Sequence, residues 1–336
     1  MTPPEFLYLL GLSVKKRYSL KHRKRLPYKV LSVGNLTFGG TGKTPATIAL
    51  AREARNRGLK PCVLTRGYKG KAKGPCLVSR GEGPLLNEYQ AGDEAVLMAE
   101  KLQGVPIIKG RNRYEAGIFA IQNLFSQICD RNSEFVFILD DGYQHWGLVR
   151  DKDVLLIDST NPFGNGRLPP LGHLREPANS MKRADIIVIT KNNQKSPANS
   201  IVREIREYNK QSPIYFAGHK PSQFVTVKGD TFPLDWANDK KFFAFCGIGN
   251  PQSFRGTLIS AGLGLTGFKP FRDHHRYGNA DIRTITGSAR MGDADWIVTT
   301  EKDIMRLKGL ELPENLVALA IEFEADEEFY DEAFNF

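Results

Sequence analysis

The stretch "VGNLTFGGTGKTP", Val33 to Pro45, constrains this chain more than any other. Before it runs "KVLSV" (29–33), an apolar segment that reads as a buried strand. After it comes "TPATIALAREARNRG", good helix formers with Pro45 in the first turn and Gly58 as a stop. Strand, glycine-rich turn and helix in that order make a phosphate-gripping loop. Small residues let backbone N–H groups turn towards phosphate oxygens, and the helix presents its positive end. In the strict pattern G-x-x-x-x-G-K-[ST], Thr37 takes the place of the first glycine, while Gly39 and Gly40 lie inside the loop. Thr37, Phe38, Gly39, Gly40, Thr41, Gly42, Lys43 and Thr44 are therefore the expected nucleotide site. Lys43 would reach the β- and γ-phosphates of a bound nucleotide, and Thr44 would ligate Mg²⁺. The bland alternative is a ligand-free turn. Gly-Lys-Thr between strand and helix favours the nucleotide.

The rest of the chain repeats the strand–loop–helix pattern. "PCVLT" (61–65), "VPIIK" (105–109), "FVFIL" (135–139), "DVLLI" (153–157) and "DIIVIT" (185–190) are apolar runs without alternation, as strands buried on both faces are. Helices are expected near 92–102 and 111–128, the second carrying Tyr114, Ile118, Ile121, Phe125 and Ile128 as a stripe. Residues 69–88, rich in Gly, Lys and Pro, read as a mobile surface loop. Past 212 the texture changes. "FVTVKGDTFPL" alternates around Gly-Asp like a β-ribbon, then "KFFAFCGIGN", a helix near 251–262 and "DWIVTT" repeat the α/β pattern. The expected fold is α/β: a P-loop NTPase-like, mostly parallel sheet with a second, smaller α/β lobe joined by a β-ribbon. The boundaries are 1–28 for an N-terminal segment, 29–215 for the core, 216–238 for the ribbon and 239–336 for the second lobe.

The charge is uneven. Of a net +10, residues 1–30 carry eight Lys or Arg against one acid, Glu5. That argues against a broad nucleic-acid face and for a local anionic partner. Just ahead of the basic cluster, Phe6, Leu7, Leu9, Leu10 and Val14 can share one helical face. Residues 1–28 thus have the layout of a helix lying on an anionic membrane surface; a capping helix with solvated lysines is the alternative. No apolar run approaches the roughly 20 residues that span a bilayer. Cys62, Cys76, Cys129 and Cys246 form no CxxC pair, which fits a reducing cytoplasm and argues against a zinc site.

Several motifs carry chemistry. "FVFILDDG" puts Asp140 and Asp141 at the C-terminal edge of a strand, where a phosphate-loop fold holds Mg²⁺; an ordinary strand-to-turn pair is the alternative. "KGRNRYEAG" offers Lys109, Arg111 and Arg113 at a helix start, against the helix dipole, either for an anion or as a solvated basic turn. In "GDEA", Asp93 alone reads as a helix cap. In "DHHRY", His274 and His275 are adjacent and ill-suited to share a metal, but one of them suits proton transfer. "NGRLPPLGHLREP" carries Arg167, Arg175 and Glu176: a charge stabiliser with a metal ligand, or a structural ion pair.

Taken together, "VGNLTFGGTGKTP", "LTRGYKG", "GDEA", "GRNR", "LDDGYQH", "NGRLPPLGHLREP", "FCGIGNP", "DHHRYG" and "VTTEKD" resemble the tetraacyldisaccharide 4′-kinase family, the lipid A kinases of Gram-negative bacteria, over about residues 30–305. The resemblance implies transfer of the ATP γ-phosphate, with Mg²⁺, to the 4′-hydroxyl of a tetraacyldisaccharide 1-phosphate at the cytoplasmic face of the inner membrane. It implies Thr37 to Thr44 as the ATP loop. Asp140, Asp141 and Glu176 would serve the metal and the reacting groups, with Thr44. Asp93 would pair with His274 as a dyad, and Arg111 and Arg175 would stabilise charge. Two departures stand out: a short N-terminal apolar helix, and "LPPLGHL" before Arg-Glu-Pro, which leaves His173 without a role. A membrane-associated P-loop ATPase or GTPase switch would need neither the Arg-Glu loop nor the Asp-His pair; a soluble small-molecule kinase, or an ATP-dependent ligase, would make the N-terminal segment merely structural.

Overall fold

A computed structural model describes residues 2–124, 134–190 and 198–336. They form two compact units, Met1–His219 with Phe323–Phe336, and Lys220–Glu322.

The first unit opens with helix α1 (Pro3–Lys21), capped by Thr2 and Glu5. The elements β1 (Lys29–Asn35), α2 (Lys43–Asn56), β2 (Lys60–Thr65), β3 (Cys76–Ser79), α3 (Glu88–Ala91), α4 (Asp93–Lys101), β4 (Ile107–Lys109) and α5 (Arg113–Asn123) follow. Then come β5 (Phe135–Asp140), β6 (Lys152–Asp158), β7 (Ile186–Thr190), α6 (Ala198–Tyr208) and β8 (Ile214–Thr226), whose far end belongs to the second unit. The strand order here is β8-β7-β6-β1-β5-β2-β4-β3, parallel except for β3. The apolar runs are the central strands, buried throughout in β5 and β7 and after the exposed Lys29 in β1.

The second unit pairs the end of β8 with β9 (Thr231–Pro233) as an antiparallel ribbon. Next come β10 (Lys241–Cys246), α7 (Pro251–Ser260), β11 (Gly264–Pro270), α8 (Asn279–Met291), β12 (Trp296–Thr300), α9 (Glu301–Arg306) and β13 (Leu316–Ala325). Its parallel strands run in the order β11-β10-β12-β13. The chain then returns to the first unit through α10 (Glu327–Phe334), whose Phe329 is fully buried. The last residues therefore do not stay with the lobe expected over 239–336.

Three local expectations differ from the structure. Residues 69–88 are not all loop, because Cys76–Ser79 adds an antiparallel edge strand to β4. The helix expected near 111–128 begins at Arg113, after Asn112 accepts from the amides of Tyr114 and Glu115. Phe125 and Ile128 lie outside the described residues. In α1 the apolar residues divide between two faces. Glu5, Tyr8 and Leu9, at i, i+3 and i+4, turn inward, and Tyr8 and Leu9 pack on the core around Leu155, Ile187 and Ile205. Phe6, Leu7, Leu10 and Val14 stay exposed.

Candidate phosphoryl-transfer site

Register brings the site together. Parallel strands β1 and β5 pair Val33 with Asp140, so the glycine loop after β1 and the acidic pair ending β5 leave the same sheet edge. Gly42 caps α2 in a left-handed conformation, φ +84°, which a side chain resists. A Cβ there would also meet the His219 ring at 2.2 Å. Thr190 donates to the Thr41 carbonyl at 3.1 Å, and the Asn35 side chain donates to the Thr37 carbonyl at 2.7 Å. The loop is thus shaped by its neighbours before any ligand arrives. Lys43 Nζ donates to Asn35 Oδ1 at 3.2 Å and lies 3.8 Å from Asp141 Oδ1.

The two aspartates have opposite surroundings. Asp140 is buried and accepts from Thr65 at 2.9 Å and Thr47 at 3.4 Å. Burial, then the charges of Glu94 and Asp141, push its carboxyl up to about 6. Burial acts the same way on Asp141, but Lys43 and Arg175 outweigh it and hold that carboxyl at about 2. Arg175 donates to Asp141 Oδ1 at 2.7 Å. Asp141 itself sits at φ +52°, where only firm surroundings hold a residue other than glycine.

The Gly/Pro loop of residues 165–177 docks along the glycine loop through its backbone. Phe38 N donates to His173 O at 2.8 Å, Arg175 N to Leu36 O at 2.6 Å, and Thr37 bridges Leu174. His173, without a role in the sequence, therefore contributes its carbonyl. Glu176 is 1% exposed, and its carboxylate is engaged by Arg183 at 2.5 and 2.9 Å and by Gln144 at 3.0 Å. Metal ligation by Glu176 would have to displace part of this set.

A cavity of about 630 Å³ opens beside Asp141 and Arg175. Its walls include Lys15 and Tyr18 of α1, together with Arg66, Arg111, His145 and Trp146. In all, six Lys or Arg line it against two acids, Glu115 and Asp141. A second cavity of about 480 Å³ shares Arg66, Gly74 and Arg111, and adds Lys69, Lys73 and Lys109. Arg111 and Arg113 now separate by burial. The Arg113 guanidinium is buried and donates to the carbonyls of Gly110 and Asp140 at 2.8 and 3.1 Å, whereas Arg111 is exposed in the cavity. Lys109 is likewise tied to the carbonyls of Ala72 and Gln90. Asp93 begins α4, accepts from the Glu94 amide at 3.0 Å and is largely buried.

Gln144, His145 and Arg183 also belong to this site, although their residue types alone do not single them out. Gln144 and His145 stand in "LDDGYQH", three and four residues after Asp141, and that motif is the signal that marks them. His145 is held neutral: burial, then Arg113 and Arg150, push its imidazole down to about 3. Arg183 had no signal, because its importance lies in reaching back seven residues to Glu176.

In the second unit the two histidines lie in a turn that follows β11. His275 stacks on Phe271 at 4.7 Å and bonds Asp281 at 3.1 Å. His274, at φ +56°, accepts from Arg306 through Nδ1 at 3.1 Å. Among the described residues, no three His, Cys, Asp or Glu side chains form a group that could hold a metal.

A family model described as tetraacyldisaccharide-1-P 4′-kinase, LpxK, matches residues 1–335. A tetraacyldisaccharide 4′-kinase of Syntrophus aciditrophicus is 40% identical over 297 residues, covering 85% of this chain and 77% of that protein. Its counterpart in Geobacter sulfurreducens is 38% identical over 307 residues, covering 89% and 82%. The crystal structure of "apo" form LpxK from Aquifex aeolicus in complex with ATP matches with a TM-score of 0.76 and 30% identity, covering 98% of this chain and 95% of that one.

Proposed function

The chain belongs to the tetraacyldisaccharide 4′-kinase family, and from that premise we propose how its residues divide the work. It is an ATP-dependent lipid kinase that transfers the γ-phosphate to the 4′-hydroxyl of tetraacyldisaccharide 1-phosphate, in lipid A biosynthesis. The observation that carries the division is the meeting of Lys43, Asp141 and Arg175 at the mouth of a basic cavity.

In this reading Thr37 to Thr44 cradle the ATP phosphates, and Lys43 neutralises charge as it moves towards the acceptor. Arg175 is positioned by Asp141 to do the same from the other side, and Arg111 faces the acceptor. The basic walls of both cavities suit an acceptor that already carries a phosphate. Asp93, in the first unit, and His274, in the second, are assigned to the acceptor hydroxyl on the family resemblance. Phosphoryl transfer is governed by positioning and charge, so a modest base suffices.

Mg²⁺ fits the acidic pair. Mg²⁺ commonly binds one or two carboxylates together with substrate phosphates and keeps several waters. Asp140 and Asp141 offer two carboxylates, and a nearby cation would relieve the repulsion that helps lift Asp140. Thr44, Asp140 and Asp141 would hold the ion, which would neutralise phosphate charge. Glu176 serves instead by holding Arg183 and Gln144 in place.

No described helix is long and apolar enough to cross a membrane. The exposed Phe6, Leu7, Leu10 and Val14 of α1, together with the excess of Lys and Arg in residues 1–30, support peripheral attachment to an anionic surface. The site of action in this reading is the cytoplasmic face of the inner membrane. The lipid cannot leave the bilayer cheaply, since each exposed CH₂ costs about 0.8 kcal/mol.

The test is incubation with γ-labelled ATP, Mg²⁺ and tetraacyldisaccharide 1-phosphate in micelles. Label should enter the lipid, and Lys43→Ala should slow transfer on the order of 100- to 1,000-fold. Nucleotide hydrolysis without labelled lipid would overturn the reading in favour of a P-loop switch.

A further inference from the structure

We propose that Arg306 is a positioning residue that fixes the tautomer of His274, making its imidazole a hydrogen-bond donor through Nε2. The inference rests on the proposed place of His274 at the transfer site.

The geometry lies wholly within the second unit. Asp303 is fully buried at the start of α9. It accepts from Thr300 Oγ1 at 2.6 Å, Tyr277 OH at 3.0 Å and Gly247 N at 3.1 Å. A carboxylate held by so many donors cannot turn, and it binds Arg306 Nη1 at 3.0 Å. The same Nη1 donates to Gly247 O at 2.9 Å. The guanidinium plane is thereby fixed, and its Nη2 points at His274 Nδ1, 3.1 Å away. The His274 backbone is anchored to the same turn, since its amide donates to Gly247 O at 2.9 Å. One residue, Gly247, therefore aligns both partners. A Cβ on Gly247 would meet Tyr277 OH at 2.9 Å and Asp303 Oδ1 at 3.2 Å, so the turn admits little more than glycine there.

The chemical consequence follows from the donor inventory. A guanidinium has five N–H donors and no acceptor. Its bond to Nδ1 therefore uses the ring's lone pair, and the neutral imidazole must carry its proton on Nε2. An Nε2–H group can orient a carboxylate or steady a developing negative charge. It cannot take a proton at that nitrogen. His274 thus acts by donating through Nε2 and not by accepting a proton there. The arrangement resembles a serine-protease triad in logic only: there, too, a charged partner at Nδ1 decides which nitrogen carries the proton. Here the partner is a cation, so the outcome is inverted. Asp273 Oδ1, 3.9 Å from Nε2, is a nearby acidic group on the same turn.

Long-range ¹H–¹⁵N correlation spectra of the full chain, labelled at histidine, read the tautomer directly. His274 is identified by the signal lost in His274→Asn. We expect Nε2–H in the wild type and in Arg306→Lys, which keeps a donor, and a mixed tautomer in Arg306→Leu. Arg306→Leu should also lower kcat on the order of 10- to 100-fold with KM for ATP unchanged, and Arg306→Lys should recover most of it. An Nδ1–H tautomer in the wild type overturns the proposal without any variant being needed. So does a fall in kcat with the tautomer unchanged, which would mark Arg306 as merely structural. Because the spectrum is independent of turnover, absence of lipid phosphorylation would sink the kinase reading alone.

Discussion

At the residue scale, the site depends on two adjacent carboxylates kept apart in character. Asp141 remains ionised because Lys43 and Arg175 face it, while Asp140 is lifted from 3.8 to about 6 by burial and by its acidic neighbours. The sign of the effect on stability can be worked out. Below the lower value both folded and unfolded chains hold the proton, and the site is neutral. Between the two values the unfolded chain gives up its proton more readily, so stability falls as pH rises. Above about 6 the loss is complete, on the order of 3 kcal/mol. Asp140→Asn removes that penalty, and Thr47 and Thr65 can turn their hydroxyls to suit the amide. The variant should melt higher than wild type at pH 7.5 without nucleotide and equally near pH 3, while transfer falls at least about 100-fold. A variant less stable than wild type at pH 7.5 would mean that the buried charge is compensated. Such a trade between stability and activity is what a functional site shows when its charges are placed for a ligand.

At the scale of elements, α1 has two faces with different duties. The inner face is part of the fold: Glu5 pairs with Arg167 at 3.0 Å through both carboxylate oxygens, Tyr8 donates to the Arg175 carbonyl at 3.0 Å, and Leu9 enters the core. The outer face touches none of this. Replacing Phe6, Leu7, Leu10 and Val14 together by Ser should leave melting and micellar turnover unchanged within about twofold, and lower turnover on vesicle-borne lipid about tenfold or more. Equal losses in both settings would rule out membrane contact by this face. Removing the whole helix is a poorer test, because Lys15 and Tyr18 line the cavity. This division also shows what the sequence made legible. Local periodicity and composition revealed the central strands, the glycine loop and the acidic pair, since each is a property of five to fourteen neighbouring residues. What stayed hidden was long-range. Leu9 turns inward because a core lies on that side. Cys76–Ser79 becomes a strand because β4 has an open edge beside it. Arg183 matters because Glu176 is buried within its reach.

At the scale of the whole molecule, the second unit is an insertion: the chain leaves the first unit after His219 and returns at Phe323. The return is firmly made. Phe329 of α10 is fully buried, with its ring 5.9 Å from Tyr215 and 6.0 Å from Phe323. Arg57 of the loop after α2 pairs with Glu327 at 2.8 Å and Asp331 at 2.7 Å, and Lys152 pairs with Glu332 at 2.8 Å. The Arg57 pairs, whose carboxylates are exposed, contribute little each, roughly 0–1 kcal/mol, and the aromatic anchor carries more. The sequence pattern alone assigns these last residues to the lobe they follow, because nothing local says that a chain will cross back. Closing the insertion at both ends keeps β5, which ends in Asp140, and α2, which begins at Lys43, in a unit whose final helix lies beyond the insertion. Phe329→Ala should therefore cost about 3–5 kcal/mol and act on one unit only. Hydrogen exchange read by mass spectrometry should quicken across β1, β5 and β6 and stay unchanged across β10 and β12. Acceleration in both units alike would show that the two unfold as one cooperative body and that α10 secures both.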